Sequence, residues 1–208
     1  MSTLVLVRHA QSTTFETDSD RLTAAGEQQA ICLGQYWRAQ DIRFDEVYTG
    51  TLQRHTRTAE LAGFGEFTAT SDFNEYDAQG ILRANPQYAP AADNRQLQKQ
   101  FETMMPLWIA GHLESPGVES WTAFHERVRR GLRSIIESDR PTRRVVVFTS
   151  GGPIGVAVQT VLQAPEPIAI EVNWRIKNCS LTEFVFTRGR ISLDTFNATP
   201  HLREVTFR

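Results

Sequence analysis

Two kinds of hydrophobic pattern alternate along this chain. Leu4 to Val7 is an unbroken apolar run inside "TLVLVRHAQS", the pattern of a strand covered on both faces, so Thr3 to Val7 is predicted as β. A polar loop follows from Gln11 to Arg21. Thr23 then stands where a helix cap is needed, and Ala30, Leu33 and Trp37 recur at steps of three and four, which predicts a helix running to Gln40. "EVYTG" reads as a second short strand, Leu52 to Ala62 as a second helix, and "FTATSDF" as a third strand. From Ile81 to Gly117 the chain is polar and proline-bearing around one amphipathic stretch, "FETMMPLWIAGHLES", and reads as a cap or lid outside the core. Helical spacing returns with Trp121, Phe124, Val128, Leu132 and Ile135. "RRVVVFTS" supplies a buried strand feeding the Gly151-Gly152-Pro153 turn and another helix. Finally, "LTEFVFTRGRISLDTF" alternates about a glycine-containing turn, the signature of a hairpin at a sheet edge.

These units predict an α/β fold, a mainly parallel sheet with helices on both faces, as one domain over residues 1–208. The 81–117 segment is its helical cap insertion and the hairpin its C-terminal edge. In such sheets ligands bind beyond the carboxyl ends of the strands. That rule gathers four segments at one crevice: Arg8 and His9 after the first strand, Thr49 to Arg54 after the second, Glu75 after the third, and Thr149 to Gly152 after "VVVF".

Composition narrows what the crevice takes. The 208 residues are 40% apolar and 22% charged, an ordinary soluble balance. Twenty-two Lys and Arg against twenty-four Asp and Glu leave a net charge of −2, so no global basic field recruits nucleic acid or an anionic membrane. Anion recognition must be local. No apolar run reaches the length of about 18 residues needed to span a membrane, and the N-terminus lacks a secretion signal's basic start and long apolar run. The expectation is a cytoplasmic protein. Cys32 and Cys179 lie far apart without metal-binding spacing and read as reduced packing residues.

Arg8 and Arg54 can each present a planar fork of donors, and two forks suit a phosphoryl dianion. The Gly151-Gly152 turn offers backbone N–H groups at a helix N-terminus. Neutral His9 could then attack phosphorus in line, with Glu75 as the general acid for the leaving oxygen. Each piece alone has a plainer reading: a polar strand end, a surface cation, a solvated loop carboxylate. "SGGPIG" is no Walker loop, since no Gly-Lys-Ser/Thr follows. A metal set of His9 with Glu16, Asp18 and Asp20 is an alternative that offers no second imidazole.

Taken together, the motifs resemble the histidine phosphatase superfamily, the group containing the phosphoglycerate mutases, over nearly the whole chain. "LVLVRHAQS" is similar to the family's strand ending in Arg-His-Gly or Arg-His-Ala, which implies His9 as nucleophile and Arg8 as phosphate clamp. "DRLTAAGEQQA" resembles its Leu-Thr-x-x-Gly-x-x-Gln-Ala helix start. "YTGTLQRHTRTAE" resembles the segment carrying the second clamp, here Arg54. "DFNEYDAQG" puts the acid on Glu75, although the usual Trp-Glu-Gly continuation is absent. "GVESWTAFHERV" matches a Gly-x-Glu-Ser helix start with a later arginine. The resemblance implies a phosphatase that needs no metal or cofactor and hydrolyses a small phosphomonoester through a phosphohistidine.

One departure stands out. The family normally places a second catalytic histidine before glycine after the "VVVF" strand, whereas this chain has Ser150 before Gly151. A seryl hydroxyl can donate to a phosphoryl oxygen but carries no charge, and losing one transition-state donor typically costs ~2.7–4 kcal/mol, or about 10²–10³ in rate. His55 follows Arg54, where the family usually has a small residue. It could lean into the site as a substitute, or face solvent, since neighbours on a helix point about 100° apart. His112 and His125 read as satisfied structural residues. Specificity is expected in the insertion, where Arg83, Arg95, Lys99 and Trp108 could meet the esterified group. The rival reading is a degenerate member that binds a phosphorylated ligand as a sensor or interaction module with little turnover. A mutase would need a seal against water that no motif supplies.

Overall fold

The Leu4–Val7 run of β1 (Ser2–Arg8) is apolar without interruption because its two faces enter different hydrophobic clusters. Leu4 and Leu6 join one, Val5 and Val7 the other. The computed structural model describes residues 1–13, 20–113, 115–140 and 142–207. Among them, β1 sits inside a six-stranded sheet with β2 (Glu46–Thr49), β3 (Thr68–Ala69), β4 (Arg144–Thr149), β5 (Leu181–Thr187) and β6 (Arg190–Ala198). The spatial order is β3-β2-β4-β1-β5-β6. β3, β2, β4 and β1 run parallel, and the hairpin β5–β6 adds antiparallel to β1. The sheet is therefore mainly parallel with an antiparallel edge, as the sequence pattern predicts.

One face is covered by α1 (Ala24–Ala39) and α2 (Gln53–Leu61), whose Ala30, Leu33, Trp37 and Ala59 pack on Val5, Val7, Val146 and Phe148. The Thr23 side chain caps α1 by accepting from Gly26 N at 3.0 Å. The opposite face carries α3 (Ala78–Arg83), α4 (Asn94–Ile109), α5 (Trp121–Ile136), α6 (Gly151–Val161) and α7 (Pro167–Asn173). Trp121, Phe124, Val128, Leu132 and Ile135 of α5 are all buried, at the spacing read from the sequence.

Three expectations change. The "FTATSDF" segment pairs only at Thr68–Ala69, because the Thr70 hydroxyl accepts from Asp72 N and turns the chain into a 3-10 turn, Ser71–Phe73. The 81–117 segment is not set apart from the core: Leu97, Phe101, Met104, Met105 and Trp108 of α4 share a cluster with Tyr76, Trp121 and Phe124. α4 also begins seven residues before the amphipathic stretch, capped by Asp93 accepting from Gln96 N at 2.7 Å. The sequence reading has no counterpart to α7, although Pro167 at its first position is a recognisable start signal. Cys32 and Cys179 are free thiols. Among the described residues, no helix is long and apolar enough to cross a membrane.

α1 and α2 approach so closely that a Cβ on Gly34 would stand 2.3 Å from the carbonyl oxygen of Ala62. In an ordinary helix interior, Gly→Ala gains about 1 kcal/mol. Here overpacking reverses the sign, and Gly34→Ala is expected to lower stability by ~1–3 kcal/mol. Urea unfolding measures it; a stabilised variant would show that the two helices are not held at this distance.

Candidate active site

The β1–β4 ladder ends with Arg8 opposite Thr149, and His9 N continues the pairing by donating to Thr149 O at 2.7 Å. The next residues on the two strands, His9 and Ser150, therefore emerge side by side. Ala10 N donates to Thr58 Oγ at 3.2 Å, and that hydroxyl donates to Arg54 O at 2.6 Å, which fastens the turn after His9 to the first turns of α2. A cavity of about 230 Å³ opens at this end of the sheet, lined by Arg8, His9, Arg54 and Glu75 together with Tyr76, Asn173 and Trp174. Four sequence-predicted residues from three strand ends thus share one pocket.

His9 is buried, and its Nδ1 lies 2.7 Å from Ala10 O. A carbonyl can only accept, so Nδ1 carries the proton and Nε2 keeps its lone pair. Burial, then the positive fields of Arg54 and Arg8, then neighbouring His55, hold the ring well below the ordinary histidine pKa. It is a neutral imidazole between two cations.

Both arginines are anchored. Arg8 Nη1 donates to the carbonyls of Ile176 and Phe207, the second at 3.0 Å. Arg54 Nη1 donates to Asp20 Oδ1 at 2.8 Å, and Asp20 also accepts from Gln53 N at 2.7 Å and Arg54 N at 3.3 Å. Leu52, at the cap position of α2, has no acceptor of its own, so Asp20 caps that helix from a distant loop while orienting Arg54. This is a different use of Asp20 from the metal alternative, whose Glu16 and Asp18 lie outside the described residues.

Glu75 is delivered by a pinned segment. Arg127 donates to the carbonyls of Ser71 at 2.9 Å, Asn74 at 2.8 Å and Glu75 at 3.4 Å while paired with Glu119 at 2.8 Å, and Thr149 Oγ donates to Phe73 O at 2.6 Å. The Glu75 carboxylate accepts from Gly152 N at 3.1 Å and from its own neighbour Tyr76 N at 3.2 Å. Burial raises its pKa above the usual carboxylate value, although the Gly152 N–H and the arginines pull the other way. A Cβ on Gly152 would fall 2.1 Å from Glu75 Oε1, so glycine is required for this approach.

Ser150, Gly151 and His55 are buried and do not line the cavity. His55 faces inward: its Nε2 lies 2.6 Å from Ser150 Oγ, and its ring centroid is 5.7 Å from that of His9. A Cβ on Gly50 would stand 2.1 Å from His55 Nδ1, so the turn before α2 is cut away to admit the ring. Nδ1 has no hydrogen-bond partner among the described residues. A buried N–H left orphaned is rarer than a bare acceptor, which assigns the proton to Nε2, donating to Ser150 Oγ. Burial, then Arg54, holds His55 well below the ordinary pKa, so it is neutral as well.

Elsewhere the sequence reading needs correction. Trp108 is buried with Nε1 donating to Glu119 O at 2.8 Å, and Arg83, Arg95 and Lys99 are exposed and do not line the cavity. His125 bonds Gln159 Oε1 through Nε2 at 2.9 Å, whereas His112 is exposed. Sequence reasoning missed Asp20 as an anchor, Arg127 as a brace, and the aromatic wall of Tyr76, Phe101 and Trp174. The Gly-x-Glu-Ser helix start with its later arginine was the signal for the brace.

Both histidines are neutral and depressed in the folded chain, while the unfolded chain carries them near the ordinary value of about 6.5. Below that pH the unfolded state binds more protons, so the histidine contribution to stability is level above about pH 6.5 and falls as pH drops toward the lower folded values. Replacing His55 with Gln, uncharged at every pH, is expected to flatten this acid slope. Urea unfolding between about pH 7.5 and pH 5 reads it, and an unchanged slope would contradict the neutral buried imidazole.

The architecture has solved counterparts. A phosphoserine phosphatase mutant from Entamoeba histolytica in complex with phosphoserine superposes with a TM-score of 0.70 at 20% identity, covering 97% of this chain and 100% of that one. An alpha-ribazole phosphatase from Shigella flexneri gives 0.70 at 18%, covering 95% and 96%. A phosphoglycerate mutase from Bacillus anthracis gives 0.73 at 17%, covering 96% and 94%. At these identities the likeness shows the fold. No curated protein matches the chain in sequence. The family model of the histidine phosphatase superfamily (branch 1) matches residues 4–199, a span that contains every residue of the pocket described above, and the chain therefore belongs to that superfamily.

Proposed function

We propose that the chain hydrolyses a phosphomonoester through a phosphohistidine on His9 Nε2, without a metal or cofactor. The observation that carries this reading is the Nδ1–H to Ala10 O bond, which leaves a neutral ring with its Nε2 lone pair beside two anchored guanidinium groups. Arg8 and Arg54 hold the phosphoryl oxygens and offset the charge that accumulates on them. The Nε2 lone pair forms the N–P bond as the ester P–O bond breaks, and the Glu75 carboxyl gives its proton to the departing alkoxide. A water then attacks phosphorus, Glu75 takes back a proton, and the N–P bond breaks to release phosphate and neutral His9. The Gly152 N–H donates to Glu75, so in this reading it steadies the acid while the arginines hold the phosphate.

In this reading Ser150 stands at the family's second-histidine position, with His55 bonded to it as the candidate substitute. With His55 Nε2–H donating to Ser150 Oγ, the pair is neutral, and Ser150 stays buried without lining the cavity. That neutrality is the specific observation favouring the second reading, a phosphoester-binding module with little turnover.

One variant tests the acid, and a pair tests the His55–Ser150 contact. Glu75→Gln is expected to cost about 10²–10⁴ in kcat on an alkyl phosphate but little on nitrophenyl phosphate, whose leaving group needs no proton. Equal losses on both would remove Glu75 from the acid role. A histidine at position 150 would collide with His55, so Ser150→His alone is expected to lower activity. Adding His55→Ala makes room for it, and the double variant should exceed wild type by at most ~10²–10³. Failure of every variant and of wild type to release phosphate from any ester would favour the binding module.

A further inference from the structure

Part of the cavity lining is built for a different kind of group than a phosphoryl dianion. Its wall is aromatic and aliphatic: Tyr76 after Glu75, Leu97 and Phe101 on α4, and Trp174 just beyond α7. These residues are held before any ligand arrives. Phe101 packs on Trp174 with ring centroids 5.8 Å apart, and Tyr76 is wedged against Trp108 at 5.0 Å while its hydroxyl accepts from Asn173 Nδ2 at 3.0 Å. The polar groups on this wall, Gln79 and Asn173, are neutral amides.

Among the described lining residues, the cavity offers a charged leaving group no cation beyond the two arginines assigned to the phosphate. Among the described residues, Arg8 and Arg54 are the only Lys or Arg side chains lining the cavity, and the chain has neither residue type between positions 9 and 20. Trp174 also borders a second cavity of about 430 Å³, where Met105, Ile109 and Ile170 meet the carboxylate residues Glu102 and Glu171. A carboxylate on the esterified alcohol would thus be desolvated against aromatic rings with no counterion among the described lining residues, and would face two like charges farther out. A flat apolar group gains at both places.

Resting on the assignment of Arg8, His9 and Arg54 to the phosphate end, we infer that the substrate class is the phosphomonoester of an uncharged aromatic or similarly flat apolar alcohol, and not of a hydroxy acid. Tyr76, Phe101 and Trp174 are its specificity surface.

Non-hydrolysable phosphonates separate this inference from the catalytic reading. Calorimetry with benzylphosphonate, ethylphosphonate and carboxyethylphosphonate is expected to give benzylphosphonate an affinity about tenfold above ethylphosphonate, with carboxyethylphosphonate no tighter than ethylphosphonate. Trp174→Leu should pull the benzyl-to-ethyl ratio toward one. Gln79→Arg, on an exposed position of α3, should favour the carboxyethyl compound instead. The corresponding phosphate esters form the second arm. Aromatic preference in binding without hydrolysis would uphold the subsite and defeat the phosphatase reading; hydrolysis without aromatic preference would do the reverse. Equal affinities, tighter binding of the carboxyethyl compound, or binding of none of the three would overturn the inference.

Discussion

Everything at this site depends on the parallel ladder between β1 and β4. Its last pair, Arg8 opposite Thr149, fixes where His9 and Ser150 leave the sheet, and the His9 N to Thr149 O bond extends that register one step further. A slip of one residue would turn every side chain to the other face. Leu4 and Leu6 would then exchange clusters with Val5 and Val7, and His9 would leave the pocket. The register that satisfies two hydrophobic layers is thus the one that aims the imidazole.

Around that fixed point the chain supplies supports from distant segments. Asp20 orients Arg54 and caps α2, the carbonyls of Ile176 and Phe207 hold Arg8, and Arg127 grips the backbone that delivers Glu75. Such anchoring prepays the entropy of arranging long side chains around a phosphoryl group. Concentrating two cations beside buried rings has a cost, since both histidines must stay neutral. For His9 this cost coincides with the proposed role, because a nucleophile requires a lone pair.

β1 and β4 were legible from their unbroken apolar runs, and the capped α1 and the α5 stripe from helical periodicity and a local cap. The resemblance marked His9, Arg8, Arg54 and Glu75, and the structure brings all four to one cavity. What the sequence left open depended on tertiary contacts. His55 could have faced solvent, and only the space above Gly50 and the Ser150 hydroxyl opposite it decide that it turns inward. The cations of the 81–117 segment looked like ligand contacts by residue type, yet the helical face that joins the core is aromatic and aliphatic, so Arg83, Arg95 and Lys99 are turned to solvent. Asp20 gave no sign because its partner helix lies more than thirty positions away in sequence.

The central claim is that neutral His9 accepts the phosphoryl group on Nε2. It is tested most directly by rapid quench of the wild-type protein with an isotopically labelled phosphomonoester, followed by peptide mapping and phosphorus NMR of the trapped adduct. The account requires an acid-labile, alkali-stable phosphoramidate on Nε2 of His9, formed and consumed as fast as phosphate is released and missing from His9→Ala. Turnover that proceeds with no such adduct, or an adduct on another residue, would contradict it.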